Sequence, residues 1–353
     1  MPLFIILSFV ISATLIPIVI YICKKESWYD SENERKVHTG KIPRLGSVGF
    51  VPAFAICAFL FYIFDADANV KDIIPLIISG LIIFSFGIID DFKDLPAKFK
   101  LLIQVVVSLV MIFNGYCFTQ IGPFQLGWFG YVVTFIWFIG IINAFNLIDG
   151  VDALCGGLSF FALIALGIIN ILYGTHTAAG TCFILAAAVL GFLVYNKPKA
   201  KIFMGDGGSQ FLGFMIATLS LSKFNQPVYE FNRFFAVALL AAIPAFDTFA
   251  AIWRRKREHR SFFTPDKMHL HHKLMNMGYT TISLLSFLYV IQIGLCVIAI
   301  FGLWLKGLRG MFVICSGFFC ITLFFTIIHY TNRAIIRKQK YGLNEDAAKI
   351  LTD

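Results

Sequence analysis

Long apolar runs alternate with short polar segments along almost the whole chain. Most runs approach the roughly 20 residues that a helix needs to cross the hydrocarbon core of a bilayer. We place them at about 3–23, 48–64, 73–89, 101–118, 131–148, 157–173, 181–195, 210–222, 234–252, 282–304 and 311–330. The pattern predicts an all-α polytopic membrane protein with about eleven transmembrane helices.

The composition agrees with this prediction. Of the 353 residues, 59% are hydrophobic and only 14% are charged, a balance that soluble globular proteins do not show. The first run is too long for a removable signal peptide and lacks a small-residue cleavage site, so we expect a retained helix. No aromatic and basic module of a nucleic-acid binder is present, and no nucleic-acid partner is expected.

The basic residues predict the orientation of the chain. If the N-terminus lies outside the cell, 24 of the 29 Lys and Arg residues fall on the cytoplasmic side. This topology also accounts for the net charge of +9. We expect a single transmembrane domain over residues 1–330 and a charged cytoplasmic tail over 331–353.

The ionisable residues lie at or just beyond the ends of the apolar runs, on the predicted cytoplasmic side. They are Asp90, Asp91, Asp94, Asp149, Asp152, Asp206, Asp266, His38, His269, His271 and His272. A secondary transporter would be expected to carry such groups near mid-membrane. Asp247 is the only clear acid within an apolar run, and it lies near the predicted cytoplasmic end of that run. The pattern favours a reaction centre at the cytoplasmic interface, in a cleft of the helix bundle.

In the segment FSFGIIDDFKDLPAK (84–98), an apolar run suited to crossing a membrane ends in three carboxylates. If the helix continues through Asp94, Asp90 and Asp94 share one face and Asp91 lies about 100° around it. Close carboxylates repel unless a proton or cation intervenes, and Mg²⁺ takes carboxylate and phosphate oxygens. The alternative is a solvated helix end balanced by neighbouring lysines.

In NAFNLIDGVDALCGG (143–157), Asn143, Asn146 and Asp149 recur at intervals of three, and Asp152 follows. Such polar side chains would cost several kcal/mol each if left unpaired in lipid. The segment therefore predicts a polar cleft. The alternative is a capped helix end with an Asn/Asp turn.

In NKPKAKIFMGDGGSQFLGF (196–214), Asp206 is flanked by Gly205, Gly207 and Gly208. Glycines permit close backbone approach, and the N-terminus of the next helix favours a phosphate. No GK[ST] follows, so this is not a Walker P-loop. The alternative is a flexible glycine turn.

The segment RRKREHRSFFTPDKMHLHHKL (254–274) places His269, His271 and His272 among seven Lys and Arg residues. It predicts a pocket for a multiply charged phosphate substrate. A zinc cluster is one alternative, although acids are few and no Cys is near. The other is a loop that binds anionic lipids.

The first predicted cytoplasmic loop, SENERKVHTGKIPRLGS (31–47), adds His38 and Arg44 among further basic residues. By itself the loop favours a topological explanation over a functional one, since positive charge gathers on the cytoplasmic side.

Taken in order, these segments resemble the polyprenyl-phosphate N-acetylhexosamine-1-phosphate transferases of glycosyltransferase family 4. The resemblance covers about residues 30–280 and rests on five motifs: RKVHTGKIPRLGSVGF, GIIDDFKDL, NAFNLIDGVDALCGG, FMGDGGSQFLGF and FFTPDKMHLHHKL. The form PDKMHLHHKL, with RKVH and IPRLG, is more similar to the N-acetylglucosamine-1-phosphate branch than to phospho-MurNAc-pentapeptide transferase.

The resemblance implies a metal and acceptor site. Asp206 would be the principal Mg²⁺ ligand, with Asn146 and Asp91 beside it and Mn²⁺ as an alternative ion. Asp90 and Asp91 would lie at the acceptor phosphate. Whether Asp90 acts as a general base or only positions the acceptor is left open, because a phosphate monoester with a second pKa of about 6 is already ionised at neutral pH.

It also implies a donor site. Asn196, Phe203 and Asp152 would hold the uridine, Phe203 by stacking and Asp152 at the uracil edge, while Asp149 supports the polar cluster. The three histidines would act on the diphosphate and sugar. The residues placed at that donor group and its surroundings are His269, His271, His272, Arg260, His38 and Arg44.

The reaction implied is transfer of N-acetylhexosamine-1-phosphate, with GlcNAc preferred, from the UDP-sugar to undecaprenyl phosphate, with release of UMP. This would initiate synthesis of a cell-envelope glycopolymer at the cytoplasmic face of a bacterial inner membrane. The expected partners are the two substrates and membrane lipids, and a homodimer is left open. The alternatives are a phospho-MurNAc-pentapeptide transferase and an ion-coupled transporter.

Overall fold

The computed structural model describes residues 1–29, 42–65, 68–221, 230–261 and 268–350, and it is almost entirely helical. Within these ranges, one two-stranded antiparallel hairpin, β1 (Gln120–Ile121) and β2 (Phe124–Gln125), interrupts the helices. The helices are α1 (Pro2–Lys25), α2 (Ser47–Phe64), α3 (Val70–Lys93), α4 (Ala97–Phe113), α5 (Phe129–Ile148), α6 (Leu154–Leu172), α7 (His176–Asn196), α8 (Asp206–Leu219), α9 (Glu230–Leu240), α10 (Ala242–Arg257), α11 (Leu270–Asn276), α12 (Thr281–Leu305) and α13 (Gly307–Ile350).

The all-α membrane prediction is confirmed, but the count of eleven spans is not. In the described part of the chain, eight helices are long and apolar enough to cross a bilayer, and the bent pair α9 and α10 raises the number to nine. α4, with 17 residues, and α8, with 14, fall short. The chain is thus a multi-pass membrane protein in which two of the predicted spans form shorter helices.

The predicted run 234–252 is broken between α9 and α10, which meet at a 76° bend. Pro244 lies in the first turn of α10 and has no N–H to offer the carbonyl of Leu240. The side-chain amide of Gln292 on α12 donates to that carbonyl at 2.8 Å instead. The break therefore leaves no unpaired backbone group at Leu240.

α8 lies at the centre of the bundle, and every residue from Gly207 to Leu219 is buried. It packs against α3 and α5. Close approach to α3 depends on glycine: a Cβ on Gly87 would lie 2.4 Å from the Cα of Gly207. The start of α8 is therefore held directly against the polar end of α3.

Two sets of helix ends meet at one end of the bundle, which we call the polar end. They are the C-termini of α3, α5 and α7 and the N-termini of α2, α4, α6 and α8, joined by contacts such as Gly46 N–H to Phe203 O at 2.9 Å. α13 continues unbroken through residue 350, so residues 331–350 of the predicted tail extend the last helix. The domain boundary at residue 330 stays a prediction.

Candidate active site

The carboxylate of Asp91 caps the N-terminus of α8. Its two oxygens accept the backbone N–H groups of Asp206 at 2.9 Å and Gly207 at 3.3 Å. Arg44 approaches the same carboxylate at 3.5 Å, and the Asp91 side chain is only 1% exposed. A carboxyl group at this position accepts hydrogen bonds from backbone N–H groups that have no partner within the helix. The helix dipole also favours an acid there. The GDGG segment is thus attached to α3 by a buried carboxyl group.

Glycine is required where this capping occurs. Gly205 has φ +79°, and a Cβ there would lie 2.3 Å from the carbonyl oxygen of Arg44 and 2.4 Å from an Asp91 oxygen. A side chain at this position would displace either the loop or the cap. The backbone bend before α8 and the seat of Asp91 therefore depend on the same residue.

Asp206 stands at the centre of the polar end. One of its oxygens accepts the Asn146 amide at 3.1 Å, and the other lies 3.2 Å from the ammonium of Lys100. Lys100 also pairs with Asp90, whose second oxygen accepts the N–H of Leu95 at 2.7 Å. One ammonium is thus shared by two carboxylates that belong to different helices.

Burial and neighbouring charges set the protonation states of Asp206 and Asp149, which both lie outside the spans. Burial would raise the pKa of Asp206, but its hydrogen bond with Asp90, the charges of Lys100 and Arg44, and the Asn146 amide hold that pKa below its ordinary value. Burial raises the pKa of Asp149 to about 8, and the nearby carboxylates of Asp206 and Asp91 add to the effect. Asp206 is therefore the ionised member of the cluster.

The polar end fits a divalent cation in part. Among the described residues, no three His, Cys, Asp or Glu side chains converge as a metal cage. Mg²⁺ needs only one or two carboxylates, with water and phosphate completing its shell. Asp90 and Asp206 meet that need, because their oxygens already share a cation, the Lys100 ammonium. Asp91 fits less well, since both its oxygens accept backbone N–H groups.

The residues predicted at the uridine surround the turn between α5 and α6. Asn196 accepts the N–H of Ala153 at 2.8 Å and donates to Ile202 O at 2.8 Å, and it is 5% exposed. Asp152 accepts the N–H of Ala200 at 3.1 Å. Both side chains therefore fix the loop between α7 and α8. Phe203 is half-buried in the same loop, and its N–H bonds to Pro43 O at 2.8 Å.

The histidines are placed by α10 and by the turn after α5. His269 Nδ1 lies 2.8 Å from the carboxylate of Asp247, which also accepts the N–H of Leu270 at 2.8 Å. Since a carboxylate only accepts, Nδ1 carries the proton and Nε2 is left for another partner. A Cβ on Gly150 would lie 2.4 Å from the ring of His271, so the ring packs on that glycine.

Burial lowers the pKa of His271 to about 3, and the neighbouring His272 adds to this lowering. The His271 and His272 ring centroids are 4.3 Å apart. His271 is therefore neutral near pH 7. At the end of α10, Arg260 is 44% exposed in its side chain and pairs with Glu258 at 3.1 Å. His38 lies outside the described residues.

One sequence expectation about α3 is wrong. The helix ends at Lys93, and Asp94 takes the left-handed conformation with φ +46°. Asp90 and Asp94 therefore do not share a helical face. The turn instead brings Leu95 N–H onto the carboxylate of Asp90.

Two residues at this site escaped the sequence analysis as functional candidates. In the sequence, Lys100 was interpreted only as one of the lysines that balance the acids. Asp247 was interpreted only as an acid inside an apolar run. Lys100 lies one helical turn before Gln104, which accepts the Asn143 amide at 2.7 Å, but no local pattern marks Lys100 as a site residue. Asp247 did carry a signal. An acid in an apolar run needs a buried partner, which is here His269.

The comparisons with known proteins agree with the motifs. A model of glycosyl transferase family 4 matches residues 73–223. A probable undecaprenyl-phosphate N-acetylglucosaminyl 1-phosphate transferase of Bacillus subtilis (strain 168) is 34% identical over 284 residues, which are 78% of this chain and 78% of that protein. Two undecaprenyl-phosphate alpha-N-acetylglucosaminyl 1-phosphate transferases are also similar. That of Salmonella typhi is 34% identical over 267 residues, 71% of this chain and 70% of that protein. That of Escherichia coli (strain K12) is 33% identical over 271 residues, 74% of this chain and 72% of that protein. Identity of this extent over most of its length shows that the chain belongs to glycosyl transferase family 4.

Proposed function

We propose that the protein transfers N-acetylglucosamine-1-phosphate from UDP-GlcNAc to undecaprenyl phosphate, with release of UMP. The names of the relatives support the two substrates, and they do not favour a phospho-MurNAc-pentapeptide transferase. The observation that carries the proposal is the convergence of Asp206, Asp90 and Lys100 at the N-terminus of α8. The geometry suits two phosphates that must be held together.

In the proposed reaction, an ionised oxygen of the lipid phosphate attacks the sugar-bearing phosphorus of UDP-GlcNAc. The bond from that phosphorus to the bridging oxygen breaks, and UMP leaves with the electron pair. No proton transfer is needed, because a phosphate monoester is mostly dianionic at neutral pH, with a second pKa of about 6. Asp90 is then assigned to positioning, which its hydrogen bond to Leu95 and its pairing with Lys100 support.

The chain's own charges would offset the repulsion between the two substrates. Lys100 and Arg44 place positive charge beside Asp206 and Asp91. His269 would present its free Nε2 to the donor from the α11 side. Orientation of both substrates would supply the remaining rate enhancement.

Mg²⁺ would be held by Asp206 and Asp90, with the Asn146 side chain beside them. When bound, it would polarise the donor phosphate oxygens and neutralise charge that develops on the leaving UMP. We assign the polar end to the cytoplasm of a bacterial inner membrane, because the basic loops gather there.

The test uses purified protein in lipid nanodiscs with defined undecaprenyl phosphate. UMP release and glycolipid mass are measured with UDP-GlcNAc, UDP-GalNAc and UDP-MurNAc-pentapeptide in competition. We expect GlcNAc-diphosphoundecaprenol and UMP in equal amounts, loss of both on chelation, and recovery with Mg²⁺. UMP release without a lipid product, or a preference for the pentapeptide donor, would overturn the proposal.

Two controls sharpen the result. Asp206→Asn should lose turnover, whereas Asp72→Asn, an exposed acid at the other end of α3, should keep it. In membrane vesicles of known orientation, externally added UDP-GlcNAc should be used only when the cytoplasmic face is outward. Use by right-side-out vesicles would refute the assigned sidedness alone.

A further inference from the structure

A groove of about 580 Å³ lies between α10 and α13, apart from the candidate active site. We call it the aromatic-basic groove. It is lined by aromatic, small polar and basic side chains: Phe246, Phe249, Ala250, Trp253, Arg254, Arg257, Lys273, Thr322, Phe325, Thr326, His329 and Tyr330. Its floor includes the pair of Phe246 and Phe325, whose ring centroids are 5.6 Å apart.

The groove and the histidine site use different faces of α10. The groove residues run from 246 through 257 at helical spacing, forming one stripe. Asp247, Ala251 and Arg255 form a second, buried stripe more than a quarter of a turn away, and Asp247 holds His269 there. One helix therefore carries the active-site contact on its inner face and the groove on its outer face.

The groove is strongly positive. Among the described residues, none that lines the groove is acidic, and Arg254, Arg257 and Lys273 all contribute to the lining. Arg333, one turn beyond His329 on α13, lies close enough to act on that ring electrostatically. Lys273 is only 3% exposed, so its charge belongs to the wall of the groove and not to a mobile surface side chain.

The groove also lies at the level expected of a membrane interface. Phe249 and Trp253 are 73% and 68% exposed, and Tyr330 is 64% exposed. Aromatic side chains followed by arginines mark the boundary between hydrocarbon and headgroups. On both helices, the apolar residues precede the basic ones along the chain.

We propose that the aromatic-basic groove binds an anionic glycerophospholipid. The phosphodiester lies against Arg254, Arg257 and Lys273, and the acyl chains run along Phe249, Phe246 and Phe325. Charge complementarity argues for an anionic headgroup, and the exposed aromatic wall argues for a lipid over a soluble nucleotide. The polyprenyl acceptor is assigned elsewhere, because the groove faces away from the stripe that carries Asp247.

The test measures lipid binding and does not depend on transfer activity. Full-length protein in phosphatidylcholine nanodiscs receives traces of a photoactivatable phosphatidylglycerol, and the adducts are mapped by peptide mass spectrometry. We expect adducts in residues 246–257 and 322–330. Arg254→Gln with Arg257→Gln should weaken capture about 30-fold, since each basic residue near an anionic surface contributes about fivefold.

Matched variants separate this site from general attraction. Lys306→Gln with Arg309→Gln removes the same charge near the junction of α12 and α13, at the opposite end of the bundle, and should leave capture unchanged. Arg254→Lys with Arg257→Lys should keep capture within about twofold of the natural protein. Equal labelling by photoactivatable phosphatidylcholine would overturn the proposal. So would unchanged capture by the double glutamine variant, or displacement by stoichiometric undecaprenyl phosphate, which would assign the groove to the acceptor.

Discussion

Asp91 and Asp206 are both acids at the start of α8, but the structure predicts opposite consequences of replacing them. Asn in place of Asp91 could accept only one of the two backbone N–H groups now bound at 2.9 and 3.3 Å, and it would lose the ion pair with Arg44. A buried backbone N–H left without an acceptor costs about 1–3 kcal/mol. Relief of repulsion among the neighbouring carboxylates offsets part of this loss. We expect Asp91→Asn to lower the free energy of unfolding by about 2 kcal/mol.

Asp206 has a different environment. Its side chain is 27% exposed, and Lys100 would keep Asp90 as a partner if the charge at 206 were removed. We therefore expect Asp206→Asn to change stability by less than about 1 kcal/mol, the range of partly exposed ion pairs. Its main effect should be the loss of transfer.

The assay is thermal unfolding of the purified variants in nanodiscs, alongside UMP release. At about 2–4 °C per kcal/mol, Asp91→Asn should unfold several degrees below the natural protein. Asp206→Asn and the control Asp72→Asn should unfold within about 2 °C of it. If Asp91→Asn unfolds at the same temperature as the control but loses activity, Asp91 acts on substrate or metal. Its assignment as a structural cap would then be refuted.

Three further predictions concern the histidines and the glycine contact. Asp247→Asn should lower kcat about 100-fold, because the ring of His269 loses its orientation; steady-state UMP release measures this. Because the folded pKa of His271 is depressed to about 3, this ring should cost the natural protein about 1.4 kcal/mol of stability per pH unit below about 6.5, relative to His271→Gln at the same pH. Unfolding temperatures across pH measure this difference. Gly87→Ala should cost about 1–3 kcal/mol by pushing α3 from α8, whereas Gly140→Ala, with open space around it, should not destabilise.

Each of these has a contradicting result. An unaltered kcat for Asp247→Asn would mean that the orientation of His269 does not limit transfer. Parallel pH profiles for the natural protein and His271→Gln would mean that this ring already carries a proton or reaches solvent. A Gly87→Ala protein as stable as Gly140→Ala would mean that α3 and α8 can separate at no cost.

Hydropathy was sufficient to place the helices but not to decide which of them cross a bilayer. Runs 101–118 and 210–222 were both predicted as spans, yet α4 has 17 residues and α8 only 14. For α8, hydropathy reported burial and not the medium that provides it. α8 is apolar because other helices surround it. Pro244 was the only local signal of the bend before α10, and the partner of the freed Leu240 carbonyl, Gln292, lies far along the chain.

At the candidate site, sequence spacing identified the acids and histidines but not how they pair. The carboxylate of Asp91 and the amides of 206 and 207 are brought together by the packing of α3 on α8, which no local pattern reveals. Lys100 was hidden for the same reason, since its two partners come from α3 and α8. Asp247 was visible as an anomaly, and the chemistry of a buried carboxylate required the partner that the structure supplies.

The contact between Gly87 and Gly207 has a consequence for how the protein tolerates its surroundings. Where two backbones touch without intervening side chains, their spacing cannot be altered by rotamer exchange or by a change in lateral pressure from the surrounding lipids. The distance from α3, which carries Asp91, to the α8 amides that Asp91 binds is therefore set by main-chain contact. We expect this part of the molecule to keep its dimensions in thin and thick bilayers alike, while the outer helices tilt to accommodate them.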